Sequence, residues 1–157
     1  MMTITVDLSQ PQKLFEQLTG IPIDQVARQV GQLGVDLIKA NFTLQRSYTG
    51  EPWTELSPYT LGRRAKRGNT STLKLIDTRA LFNSVRYYQS QDSVELRVGG
   101  AGIEAEKHNL GDPANILNGK PAPIPRRAFV PNETDIPQDW IDKLNQPVND
   151  ALNKAIS

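Results

Sequence analysis

Val26, Val30, Leu33, Leu37, Ile38 and Phe42 recur at three- and four-residue steps, and no other pattern in the chain constrains its fold as strongly. The spacing predicts one long amphipathic helix, capped by Asp24 and running to about Gln45. Gly31 and Gly34 each lower its intrinsic propensity by about 1 kcal/mol, so the helix needs a partner to pack on. A second stripe, Trp140, Leu144, Val148, Leu152 and Ala155, predicts a C-terminal helix over 137–157. Pro147 is expected to kink or break it near residue 146. The two stripes are expected to pack on each other.

Between and before these helices the period changes. Thr3 to Leu8 alternates polar and apolar residues, as a half-buried strand does. Ser9 and Pro11 then read as an N-cap and a first-turn proline, opening a short helix through Leu14, Phe15 and Leu18 that stops at Gly20. Residues 1–22 thus form an N-terminal strand and short helix. Residues 47–72 read as loop, and 57–74 as a basic loop around Arg63-Arg64-Ala65-Lys66-Arg67. A short helix is expected near Thr78–Ser84. Val85 to Tyr88 and Val94 to Val98 alternate across Ser90-Gln91-Asp92, which predicts a β-hairpin. Residues 99–123 read as loop again, and 124–130 as a short edge strand, since Pro125 tolerates only an edge. The class is α+β: long N-terminal and C-terminal helices packed on a small antiparallel sheet or hairpin, with long extended loops. The whole chain, 1–157, is expected to be a single domain.

Composition removes several kinds of chemistry. The chain has no cysteine, which excludes disulfide scaffolds, thiolate zinc sites and thiol catalysis. No apolar run approaches the ~20 residues a transmembrane helix needs. Met1–Gln10 lacks the basic and apolar regions of a signal peptide, so synthesis in a cytosol and no membrane association are expected. The single histidine, His108, follows Glu104 and Glu106; a helix there would put Glu104 and His108 on one face. A hydrolytic zinc site needs more ligands than that, and no second histidine exists to complete it. No serine sits in a nucleophile elbow, and Gly99-Gly100-Ala101-Gly102 lacks the spacing of a dinucleotide loop. No enzymatic activity and no cofactor are expected.

Charge is unevenly placed. The net charge is only +1, but Ser57 to Ser90 carries +6 and Pro131 to Ser157 carries −3. Arg63, Arg64, Lys66 and Arg67 can track a phosphate backbone, or face the acidic tail of a neighbouring copy, or lie solvated. Four like charges in five positions repel one another, so they are expected to serve an assembly and contribute little to folding. Trp53 beside Pro52 is an amphipathic anchor for its own core or for a neighbour's pocket. Ile124 to Phe129 offers an edge for β-augmentation by an adjacent chain.

Three segments in order carry a resemblance. They are Gly50 to Thr60, with Trp53 and Leu56; Leu73 to Val85, with Thr78 and Leu81; and Ile124-Pro125-Arg126-Arg127-Ala128-Phe129-Val130. His108-Asn109-Leu110-Gly111 lies between the last two. Together they resemble the phage virion morphogenesis (tail completion) family, which includes the Mu-type G-like neck proteins, over roughly residues 25–155. The resemblance implies a structural virion protein of a tailed phage, made in the host cytoplasm and placed in the neck between head and tail. It implies a tail completion, terminator or connector role, in a homo-oligomeric and six-fold ring. The ring would contact other neck, connector and tail tube proteins, with duplex DNA passing through the channel without sequence-specific binding. The interface residues expected on this reading are Trp53, Arg63, Arg64, Lys66, Arg67, His108, Arg126, Arg127 and Phe129. A small nucleic-acid-binding protein using Arg63–Arg67 is the alternative.

Overall fold

A computed structural model describes residues 1–18 and 23–157, without the side chains of 14–16 and 18. In chain order the elements are β1 (Met2–Asp7), α1 (Ser9–Leu18), α2 (Ile23–Leu44), α3 (Pro58–Lys66), α4 (Ala80–Asn83), β2 (Arg86–Gln89), β3 (Ser93–Val98), α5 (Ala105–Leu110), β4 (Ile116–Leu117), β5 (Lys120–Pro121) and α6 (Gln138–Ile156). The α+β reading holds, with α2 and α6 as the long helices and β2–β3 as the expected hairpin. The hairpin pairs Arg86 with Arg97 and Gln89 with Val94, and β1 joins on the far side to give the order β1-β3-β2. The expected stop of α1 at Gly20 lies outside the described residues. Its start differs from expectation: Ser9 is the first helical residue, and its amide donates to the Asp7 carboxylate at 2.8 Å.

The residues group into two compact units. The second comprises Thr3–Leu37, Arg86–Arg97 and Pro131–Ser157. Its core is the meeting of both predicted stripes. Val26, Ala27 and Val30 of α2 pack with Leu144 and Val148 of α6, closed by Leu8 and by Val94 of β3. The two glycines of α2 now have a reason. A Cβ on Gly31 would run into the Tyr87 ring and one on Gly34 into the Leu96 side chain. The helix therefore gives up propensity to lie close against the sheet. Leu144→Ala is expected to cost about 2–5 kcal/mol, the range for truncating a buried leucine, read as a shift in urea midpoint at unchanged m-value. A loss below about 1 kcal/mol would mean the α6 stripe is not core.

Pro147 does not break α6, which runs unbroken from Gln138 to Ile156. A proline at that position removes one hydrogen bond to the carbonyl four residues back, at Lys143. Pro147 is buried beside Val148, so its ring is itself part of the packing that holds the helix through it.

The first unit comprises Met1–Met2, Ile38–Val85 and Val98–Val130. Its centre is Phe42, fully buried at the end of α2. The Phe42 ring meets Trp53 edge-on at 5.6 Å, Phe82 edge-on at 5.9 Å and Phe129 at 4.9 Å. Two segments here depart from expectation. The supposed basic loop contains α3, started by Ser57, whose Oγ accepts the Thr60 amide at 3.2 Å, with Pro58 in the first turn. The 99–123 loop contains α5 and a β4–β5 hairpin turning at Asn118-Gly119, both at positive φ (52° and 74°). That dipeptide is the one a two-residue hairpin turn demands.

Candidate functional site

The basic cluster does not act as one group. Arg64 points inward and is only 4% exposed. Its Nη1 donates to the carbonyls of Ser71 (3.0 Å) and Leu73 (2.7 Å), and its Nε lies 3.6 Å from Asp77 Oδ1. Arg67 Nη2 donates to Asp77 Oδ2 at 2.6 Å, and Asn69 Nδ2 to Asp77 Oδ1 at 2.7 Å. Burial pushes the Asp77 carboxyl up, but the bonds from Arg67 and Asn69 and the charge of Arg64 outweigh it, leaving it below the usual carboxylate range. Arg64 and Arg67 thus tie the 68–77 segment to α3. The expectation that all four basic residues contribute little to folding is corrected for Arg64, because a buried guanidinium must be partnered. Arg63 and Lys66 face outward and pair with no carboxylate among the described residues.

Residues 127–130 are buried, but the 124–130 segment is not a strand. A neighbouring strand would bond its backbone at regular intervals; here isolated backbone bonds and side chains from several segments do so instead. Asp112 and Ile124 exchange two backbone bonds, at 2.8 and 2.9 Å, and the Arg127 amide donates to the His108 carbonyl at 2.8 Å. Trp53 Nε1 donates to the Ala128 carbonyl (3.3 Å) and Asn41 Nδ2 to the Phe129 carbonyl (3.0 Å). Asn109, which is 2% exposed, clips the end: its Oδ1 accepts the amides of Phe129 (2.8 Å) and Val130 (2.9 Å), and its Nδ2 donates to the Val130 carbonyl (2.9 Å). Arg127 is buried too. Its guanidinium donates to the carbonyl of Thr54 from Nε (3.1 Å) and Nη2 (2.9 Å), and to that of Glu55 (3.1 Å). Burial, and then the charge of Arg64, push its pKa below the usual arginine value.

A groove of about 1120 Å³ opens on this unit. Tyr59, Arg63 and Arg67 line it along with Leu117, Pro121 and His108. His108 is half-buried, and its Nδ1 has no hydrogen-bond partner. Burial, and then the nearby Arg127 charge, push its pKa down, against a smaller opposing pull from Glu104. Glu104 and His108 do fall one turn apart, but the Glu104 carboxylate pairs with Lys107 at 2.8 Å. Among the described residues no group of three or more acidic, histidine or cysteine side chains is placed to hold a metal.

The depressed His108 pKa sets a pH dependence. The unfolded chain takes up the proton near 6.5, before the folded one does. Stability is therefore full above about pH 6.5 and falls as pH drops through the folded value. Unfolding free energies at pH 7.5 and 5.5 are expected to differ in wild type and to differ less in His108→Gln. An equal slope in both would assign the loss to other groups.

The phage virion morphogenesis family matches the chain over residues 7–149. The chain belongs to that family. No curated protein and no solved structure matches it. The role of this virion morphogenesis protein is thus structural, in the building of a phage particle. No helix among its described residues is long and apolar enough to cross a membrane. Of the side chains expected to grip partners, Trp53, Arg64, Arg127 and Phe129 lie inside the virion morphogenesis protein, where they build its core and brace its loops. Arg63, Lys66, Arg67 and Arg126 are exposed and His108 is half-exposed. Asn109 and Asn41 were not singled out from the sequence for these roles, since a side chain bonding a backbone 20 or 88 residues away leaves no local trace.

Proposed function

We propose that this protein is a ring-forming neck component, a tail completion or terminator protein that joins the DNA-filled head to the tail around the DNA channel. The observation that carries the reading is the family match, which takes in nearly the whole chain from residue 7 to 149. The internal bracing adds support. The conspicuous aromatic and arginine side chains are spent on fixing long loops, as a protein that presents shaped surfaces requires. Copies are expected to close a six-fold ring against connector and tail tube proteins, with duplex DNA passing through unread.

Removal of the protein from infected cells tests this. Filled heads and complete but separate tails are expected to accumulate, and adding the purified protein to the mixture is expected to restore joined particles. A reconstruction of the virion should place the chain at the head–tail junction. Normal joining in its absence, or a position in the shell or at the tail tip, overturns the neck assignment.

The exposed Arg63 and Lys66 favour one second reading, a small nucleic-acid-binding protein. It calls for tight retention of free duplex DNA by the isolated protein, with a steep loss on adding salt.

A further inference from the structure

The fold sorts charge. The first unit carries twelve Lys and Arg against six Asp and Glu, and the second carries six against eleven. The chain's net +1 thus hides +6 on one unit and −5 on the other. Each surplus has an exposed helix face. On α3, Tyr59, Arg63 and Lys66 follow at steps of four and three, on the side away from buried Arg64. Tyr59 is 60% exposed and Arg63 stands 6.0 Å from its ring centre, while neither Arg63 nor Lys66 meets a carboxylate among the described residues. On α6, Asp139, Asp142, Gln146 and Asp150 share the face opposite Trp140, Leu144 and Val148. Asp142 and Asp150 accept from the side-chain amides of Gln138 and Gln146, each at 2.8 Å. Those bonds hold the two carboxylates in place without neutralising them.

We infer that successive copies of this chain associate head to tail, the Arg63–Lys66 face of α3 in one copy meeting the Asp142–Asp150 face of α6 in the next. The inference rests on the ring reading and names its contact. Two different patches make a heterologous interface, the kind that closes into a ring when its rotation permits. A duplex would satisfy only the basic unit and would repel the acidic one, whereas a second copy satisfies both. Exposed ion pairs contribute little affinity, so this contact sets register and encounter rate, with Tyr59 offering the apolar part.

Charge reversal tests the contact. Arg63→Glu/Lys66→Glu leaves a copy with two acidic faces, and Asp142→Lys/Asp150→Lys leaves one with two basic faces. Supplied alone to a phage lacking the chain, each is expected to lower the yield of joined particles at least tenfold. Supplied together they can alternate around an even-numbered ring, and joining is expected to return. Each variant's melting temperature is measured first. A pair that fails to fold is replaced by Arg63→Gln/Lys66→Gln or Asp142→Asn/Asp150→Asn, each expected to reduce joining and to make it less dependent on salt. Normal joining with either reversed protein alone, or no return with both together, overturns the contact while leaving the neck role standing. Loss of duplex DNA retention by Arg63→Glu/Lys66→Glu, with no rescue by its counterpart, assigns the α3 face to DNA. Normal joining with no protein at all rejects the neck role itself.

Discussion

Asn109→Leu is expected to destabilise the first unit by about 3–5 kcal/mol. The replacement keeps the number and branching of the side-chain heavy atoms and leaves no cavity, so the loss comes chiefly from hydrogen bonding. It strands the amides of Phe129 and Val130 and the carbonyl of Val130, all in a buried segment. Each buried backbone group left without a partner costs about 1–3 kcal/mol. Urea unfolding of wild type and variant measures the difference, and a loss under about 1 kcal/mol would mean that water reaches those groups. Asn109→Asp makes a sharper comparison: it keeps both acceptor bonds and loses only the donor to Val130, but it buries a charge.

Phe42→Ala comes second. Truncating a fully buried phenylalanine costs about 3–5 kcal/mol, and three ring contacts vanish with it. The unit contains one tryptophan, Trp53, edge-on to Phe42, while Trp140 belongs to the other unit. In a Trp140→Phe background, fluorescence therefore reports on this unit alone. Phe42→Ala should move its midpoint strongly, and Phe42→Leu by less than half as much. Equal shifts for both would mean that the loss comes from the ring contacts and not from the volume removed.

What could be read from the sequence followed what is local and periodic. The stripes of α2 and α6 were legible because burial repeats every three or four residues, and β2–β3 because it repeats every two. Helix α3 was hidden by its own charges. Ser57-Pro58 is as good a helix start as any in the chain, yet the basic run after it reads as a solvated loop. Inward Arg64 was illegible because its partners are carbonyls of Ser71 and Leu73, which any sequence could supply. The 124–130 segment shows the same limit from the other side. Its apolar residues correctly signalled burial, but the bonds that replace a strand partner come from Asn41, Trp53 and Asn109, far away in sequence.

The two units also differ in when they can form. Every residue of the basic unit precedes residue 131, but the core of the acidic unit lacks Leu144 and Val148 until α6 has been made. The same helix carries Asp142 and Asp150. On the proposed head-to-tail contact, a chain still being made therefore lacks the acidic face that Arg63 and Lys66 of a neighbour would meet. If copies meet through that proposed contact, the order of synthesis delays their assembly until α6 has been made.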